Sequence, residues 1–174
     1  IPLIPKASSG EIELAGCGPE TVDSVLELYT TLNNGQRLGY AKRVVLRFLG
    51  RKLCIVVRHT TCKTTIGFAL YYFNFRDLNE RTVHEGFTGL LPEYRGRGIG
   101  TLMRLHGLRH FARCPHLRAM SSRVSLDNLP SLRGNLRLGF KVVERYHDPE
   151  LRKDRVYLTC DLSPYRPSLA SVSQ

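Results

Sequence analysis

Residues Leu90 to Thr101, Leu-Leu-Pro-Glu-Tyr-Arg-Gly-Arg-Gly-Ile-Gly-Thr, restrict the fold of this chain more than any other stretch. An apolar, β-branched and aromatic run ends at Pro92, glycines follow at 96, 98 and 100, and an amphipathic helical pattern begins. A strand that turns through glycines into a helix N-terminus can hold an anion. Glycine lets the backbone aim several N–H groups at one spot, and the helix dipole favours negative charge there. Arg95 and Arg97 add fixed positive charge. The stretch reads as a pyrophosphate cradle. It is not a P-loop, because no Gly-Lys-Ser/Thr ending is present. Nor is it a Rossmann turn, since the glycine register differs and no βαβ unit opens the chain.

The remaining sequence suits one domain, 1–174, with a core over about 10–162 and a mobile tail over 163–174 that carries Pro164, Pro167 and four serines. No apolar run approaches a membrane span, and the first ten residues lack a signal-peptide pattern. The opening at Ile1 fits either a processed form or a domain of a longer protein. Five cysteines, widely spaced and without C-x-x-C, read as buried free thiols in a reducing cytoplasm rather than as a disulfide framework or zinc site. The net charge of +11 suits an anionic partner: a phosphorylated cofactor, a nucleic acid or an acidic protein surface.

Periodicity sets the order of elements. Glu11 to Leu14 alternates as a short edge strand, and Pro19 to Leu32 has a helical apolar spacing stopped by Asn33-Asn34-Gly35. A second helix is predicted over about 39–49, with Val45, Leu46, Phe48 and Leu49 apolar and a solvated basic face of Lys42, Arg43 and Arg47. Strands at Leu53–Val57 and Thr65–Phe75 flank a polar hairpin, Asp77 to Glu80 is a turn, and Arg81 to Leu91 leads into the cradle. A helix over Arg97–Arg113, a strand over Leu117–Val124 and a shorter helix over Asn128–Leu138 follow. The last strand pair, Phe140–Tyr146 and Arg155–Leu162, is joined by a charged loop over 147–154. Hairpins mixed with helical crossovers predict an α/β chain with a mixed sheet and helices on its faces.

The segment Arg95-Gly96-Arg97-Gly98-Ile99-Gly100 matches the R/Q-x-x-G-x-G/A signature of the GNAT N-acetyltransferase superfamily. Leu90 to Tyr94 precedes it as that family's V-x-P-E-Y strand end does. Asn128 and Leu136-Arg137-Leu138-Gly139-Phe140 resemble its N-x-x-A and K-L-G-F segment, with a strand between. The resemblance implies a seven-stranded mixed sheet splayed between strands 4 and 5, with acetyl-CoA or another acyl-CoA as co-substrate and no metal. It also implies that the backbone from Arg95 to Thr101 holds the CoA pyrophosphate, most directly Arg97, Gly98, Gly100 and Thr101, with Gly96 in the turn. Asn128 joins the cofactor side. Thr88 and Leu90 would pair with pantetheine as an added strand, and the Leu90 N–H would face the thioester oxygen as it gains negative charge.

Acyl transfer to an amine needs a base, since a free amine is mostly protonated at neutral pH. His84 and Glu85, on the strand before the cradle, are the candidates. The resemblance favours His84, where family members carry a histidine or a glutamate, and strand alternation allows only one of the two to face the reacting groups. The family's usual acid is a tyrosine four residues before the Gly-Phe pair. Asn135 stands there, able to donate a hydrogen bond but not to titrate. Tyr94 or Ser131 acting through water, or an unassisted thiolate, would replace it. His106 and His110 lie one helical turn apart and read as a solvated face rather than a metal site.

The resulting expectation is a cytoplasmic acyl-CoA-dependent N-acyltransferase acting on a primary amine of a small molecule or peptide. Three alternatives remain: an aminoacyl-tRNA acetyltransferase of toxin type, a non-catalytic acyl-CoA-binding domain, and a carrier-protein acyltransferase. The acceptor would be chosen by the first two helices, the hairpin at 60–64 and the loop 147–154, with Arg37 and Tyr40 read as ordinary loop residues rather than as lining of the acceptor mouth. Neither the acyl chain length nor the oligomeric state is written in these residues.

Overall fold

In the computed structural model the described residues are 1–167; residues 168–174 of the expected mobile tail lie outside them. The elements in chain order are β1 (Ala7–Ser9), β2 (Ile12–Gly16), α1 (Pro19–Leu32), α2 (Tyr40–Leu53), β3 (Cys54–His59), β4 (Thr65–Tyr72), α3 (Phe75–Glu80), β5 (Thr82–Leu90), α4 (Ile99–Ala112), β6 (Ala119–Ser125), α5 (Leu129–Arg137), β7 (Lys141–Asp148) and β8 (Lys153–Asp161). The fold class is α/β, with strands in the order β1-β2-β3-β4-β5-β6-β8-β7. The chain divides into two compact units, residues 1–71 with 87–104 and residues 72–86 with 105 onward, so β5 and α4 each contribute to both.

In the first unit, antiparallel registers join β1 to β2, β2 to β3 and β3 to β4. Helix α1 begins with Pro19, whose missing N–H costs nothing at a helix start, and ends at Asn33. Val22, Val25 and Leu28 of α1 bury against Leu46 of α2, Val56 of β3 and Phe68 of β4. Each fully buried side chain of this size stabilises the fold by roughly 1.5–3 kcal/mol. Phe68 stacks on Phe87 of β5 at 5.2 Å, and Tyr29 of α1 closes on Phe87 at 4.9 Å. These rings seat the strand end that enters the glycine turn.

The second unit contains β5 and β6 in parallel register from Thr82↔Ala119 to Glu85↔Ser122. Strand β8 pairs antiparallel with both β6 and β7. Helix α3 is fixed by a capping box: the Asn74 side chain accepts from the Asp77 N–H at 2.9 Å, and Asp77 Oδ2 accepts from the Asn74 N–H at 3.1 Å. Helix α5 is capped by Asn128, and Gly139, at φ 82°, turns the chain into β7.

Several expectations are corrected. Among the described residues there are eight strands, not seven, because Gly10 (φ 57°) folds the triplet Ala7–Ser9 back onto β2, which is therefore internal. Asp77 to Glu80 belongs to helix α3, since its capping box outweighs the turn propensity of Asp and Asn. Helix α2 runs to Leu53, and its buried seam is Leu46, Gly50 and Leu53; Val45, Phe48 and Leu49 are exposed. Half of the loop over 147–154 is strand, with His147↔Asp154 and Asp148↔Lys153 paired, and the turn itself is 149–152. Cys62 is exposed, whereas the other four free cysteines are buried. Residues 163–165 form a short 3-10 turn held by Tyr165 Oη donating to Leu138 O at 2.7 Å. Among the described residues no helix is long and apolar enough to cross a membrane.

Gly16 sets how closely β2 approaches α2. A Cβ there would lie 2.5 Å from Arg51 O and 2.8 Å from Arg51 Cα, which are backbone atoms with no rotamer to escape into. Gly16→Ala is expected to lower stability by about 1–3 kcal/mol, read as a lower urea midpoint at unchanged slope.

Candidate functional site

In the first unit, β5 ends where Leu91 N–H donates to Ile66 O at 2.8 Å, and Pro92–Tyr94 form a 3-10 turn. Gly96 (φ 76°) and Gly98 (φ 77°) are both left-handed, a conformation that costs other residues roughly 1–2 kcal/mol each. These two reversals swing the chain into α4. No described hydrogen bond outside a helix ladder uses the N–H of Gly96, Arg97, Gly98, Ile99, Gly100 or Thr101. Those of Ile99 to Thr101 are the unpaired donors of any helix start. The first turn of α4 carries no acidic residue to compensate its dipole. Cβ atoms built on Gly96, Gly98 and Gly100 meet nothing within 4 Å, so the turn has open space beside these three residues. Neutral donors, a bare helix dipole and open space form a donor set that fits a diphosphate.

The two arginines differ in their roles. Arg95 turns back, its Nε donating to Leu90 O at 3.0 Å, and so ties the turn to the strand end. The Arg97 guanidinium lies 5.4 Å over the Tyr94 ring and helps line a cavity of about 380 Å³ with Gly98, Ile99, Glu11 and His59. Thr88 and Leu90 lie on β5 beyond the described register with β6, which ends at Glu85.

In the second unit, the parallel register sets His84 beside Ser121 and Glu85 beside Ser122. His84 Nδ1 lies 2.8 Å from Ser121 Oγ, Ser121 Oγ donates to Asp77 Oδ1 at 2.8 Å, and Thr82 Oγ1 donates to the same oxygen at 2.7 Å. Glu85 Oε2 accepts from Ser122 Oγ at 3.3 Å. His84 and Glu85 thus engage successive β6 residues, which face opposite sides of the sheet. His84 is 2% exposed and its ring lies 5.1 Å from that of Tyr72. Burial pushes its pKa down to about 4, opposed by the charge of Asp77 and assisted by Arg123. At neutral pH it is uncharged.

Two expected residues take structural positions here. Asn128 caps α5, its Oδ1 accepting from the Ser131 N–H at 3.2 Å. Asn135 is fully buried: its Nδ2 donates to Ser131 O at 3.0 Å, and its backbone carbonyl accepts from the N–H groups of Leu138 and Phe140. That backbone carbonyl closes the end of α5, and none of the described residues partners the side-chain Oδ1. His110 is buried edge-on to Phe111 rather than solvated. Among the described residues no group of three or more His, Cys, Asp or Glu could hold a metal.

Sequence reading missed Asp77, Thr82 and Ser121. The Asn74-x-x-Asp77 pattern announces a capped helix, but nothing in the sequence brings Ser121 to His84, because that pairing joins distant parallel strands. It also missed a cavity of about 350 Å³ in the second unit, lined among others by Arg76, Arg123, Tyr146, Glu150 and Tyr157. Arg76 stacks 4.0 Å over the Tyr157 ring and pairs with Glu144 at 3.0 Å.

Solved acetyltransferases share this mixed α/β fold. A family model described as the acetyltransferase (GNAT) family matches residues 22–140, and the chain belongs to that family. A search of curated proteins finds no match. Among solved structures, a ribosomal-protein-S5-alanine acetyltransferase from Vibrio fischeri is 14% identical, with TM-score 0.74, covering 94% of this chain and 100% of its own. YncA from Salmonella typhimurium, a putative acetyltransferase with its cofactor acetyl-CoA, is 16% identical at TM-score 0.71 over 88% and 95%. The NatC complex bound to Gag peptide and CoA supplies a chain 18% identical at TM-score 0.72 over 87% and 98%. At these identities the likeness is one of fold.

The depressed pKa of His84 has a consequence for stability. The unfolded chain binds its proton near pH 6.5, the folded chain only near 4. Between these values the unfolded state holds more protons, so folding stability falls as pH drops through this window and is unaffected above it. His84→Gln should flatten the pH dependence of unfolding free energy between 6.5 and 4 by about 2–3 kcal/mol relative to wild type. Parallel denaturant titrations measure the difference; identical slopes would contradict a neutral buried imidazole.

Proposed function

We propose that the chain transfers an acetyl group from acetyl-CoA to a primary amine, with a peptide N-terminus favoured over a polyamine. The observation that carries the donor half is the pair of left-handed glycines at a helix N-terminus, where the N–H groups of Gly96 to Thr101 have no described partner outside the helix ladder. Arg97, Gly98, Gly100 and Thr101 would bind the pyrophosphate through backbone N–H groups, with Gly96 shaping the turn and Arg95 bracing it. Thr88 and Leu90 would pair with pantetheine along β5, and the Leu90 N–H would stabilise the thioester oxygen as it becomes negative. Asn128 retains its Nδ2 donor for the cofactor side while its Oδ1 caps α5.

His84 would take the proton released as the amine nitrogen bonds to the thioester carbon and the C–S bond breaks. The departing thiolate then recovers one proton, so one amide and one CoA thiol form. Asn135 does not supply that proton, since an amide does not titrate and its Nδ2 is committed to Ser131 O. Tyr94 or Ser131 acting through water, or solvent itself, would fill the role. Glu85, turned to the other face with Ser122, would assist through its charge.

The acceptor argument rests on the cavity of the second unit. Beside the cations Arg76 and Arg123 it has three carboxylates: Glu144 pairs with Arg76 at 3.0 Å and Asp148 with Arg155 at 2.9 Å, which leaves Glu150 without a described ion pair. A polycation needs several unneutralised carboxylates and would meet one, whereas a peptide offers both donors and acceptors. The +11 net charge argues the same way. We read residues 1–174 as one domain. Four buried free thiols suit a reducing cytoplasm.

Calorimetric titration with acetyl-CoA should give saturable binding that Gly98→Glu abolishes, because the new side chain would be strained at φ 77° and would bring a carboxylate to the anion site. Thiol release should appear with short peptides and stay at background with spermidine. Absence of acetyl-CoA binding to the wild type would sink the reading. Tight binding without turnover on any amine would leave a non-catalytic acyl-CoA-binding domain. Steeply salt-dependent RNA binding would instead favour an aminoacyl-tRNA acceptor.

A further inference from the structure

The buried hydrogen-bond chain behind His84 determines which ring nitrogen carries the proton. Ser121 has one hydroxyl proton, and it goes to Asp77 Oδ1 at 2.8 Å. The contact between Ser121 Oγ and His84 Nδ1, also 2.8 Å, must then be donated by the ring. Asp77 cannot reverse this direction. Its Oδ1 also accepts from Thr82 Oγ1, and its Oδ2 accepts from the Asn74 N–H, so it acts only as an acceptor. The carboxylate is fully buried and held by the capping box of α3, so its position is fixed by the backbone.

We propose that Asp77 and Ser121 are positioning residues that hold His84 in the Nδ1–H tautomer, leaving the Nε2 lone pair to accept the proton of the attacking amine. The inference rests on the reading of His84 as the base, but it makes its own statement about the resting protein. An imidazole free to choose its tautomer would present a lone pair at Nε2 only part of the time, and rotation about Cβ–Cγ would misplace it. The chain removes both freedoms. It also explains why a short helix, α3, is built with Asp at its third position: that carboxylate both caps the helix and anchors Ser121. The groups acting on His84 come from every side. Asp77 lies on α3, Glu85 on β5, Arg123 on β6 and Arg155 on β8, and the Tyr72 ring of β4 lies 5.1 Å away.

The direct test needs no variant. Nitrogen-15 NMR of histidine-labelled wild-type protein at pH 7 should show His84 with a protonated Nδ1 and an unprotonated Nε2. A protonated Nε2, or a fully protonated ring, would overturn the proposal. Ser121→Ala should shift the population toward Nε2–H, and Ser121→Thr, which keeps the hydroxyl, should restore Nδ1–H. In thiol-release assays Ser121→Ala should lower kcat about 10–100-fold with the KM for acetyl-CoA unchanged, and Ser121→Thr should recover most of it. Equal kcat and pH profile for wild type and Ser121→Ala would also refute a positioning role. Asp77→Asn introduces a donor facing Ser121 and should invert the chain, giving Nε2–H. Should that variant not fold, the two Ser121 variants still decide. The outcomes separate this inference from the broader function: an Nδ1–H tautomer with full activity in His84→Gln would remove His84 as the base while leaving the hydrogen-bond assignment intact.

Discussion

Two backbone reversals, at Gly96 and Gly98, govern the chemistry of the first unit. A side chain at either position would meet open space, so steric crowding does not explain the glycines; the left-handed φ does. That conformation brings a β-strand and a helix together at an angle that leaves six consecutive amides without a described non-helical partner. The core serves this arrangement. Phe87 is clamped by Tyr29 and Phe68, Leu91 is bonded to Ile66, and Arg95 reaches back to Leu90, so the strand end is fixed before the turn begins. Preformed donors of this kind reorganise little on binding an anion.

The second unit depends on a different constraint, a buried carboxylate. Asp77 is fully buried and accepts from Asn74, Thr82 and Ser121. An unpaired carboxylate in that place would be strongly destabilising, and its partners together are what make it tolerable. The same bonds give His84 a defined direction. Burial then holds the ring neutral, at the cost of basicity: a pKa near 4 makes it a weaker base than a free imidazole. On the proposed reading, proton acceptance from an amine would be a matter of position as much as of proton affinity.

The sequence made the donor side legible because its determinants are local. Glycine register, a proline-ended strand and a helix start lie within a dozen neighbouring positions, and the helix of Pro19 to Leu32 was bounded by its own Pro and Asn-Asn-Gly signals. What depended on pairing across the sheet was not legible. Ala7–Ser9 carries no apolar alternation and becomes a strand only because β2 offers an edge. Phe48 and Leu49 look like core residues yet face outward, because the seam of α2 was set by Leu46, Gly50 and Leu53. Asn135 occupies the expected position of a titratable acid, but its Nδ2 is bonded to Ser131 O and its backbone carbonyl closes the end of α5, hydrogen bonds that spacing alone does not show.

The central claim, that the amides of Gly96 to Thr101 receive a diphosphate, can be measured residue by residue. Hydrogen exchange followed by NMR, with CoA and with pantetheine lacking the diphosphate, would read each amide separately. The account predicts that CoA slows exchange at Gly96, Arg97, Gly98, Gly100 and Thr101, and that pantetheine leaves these amides unchanged. Saturating CoA binding with no added protection at these positions would contradict it.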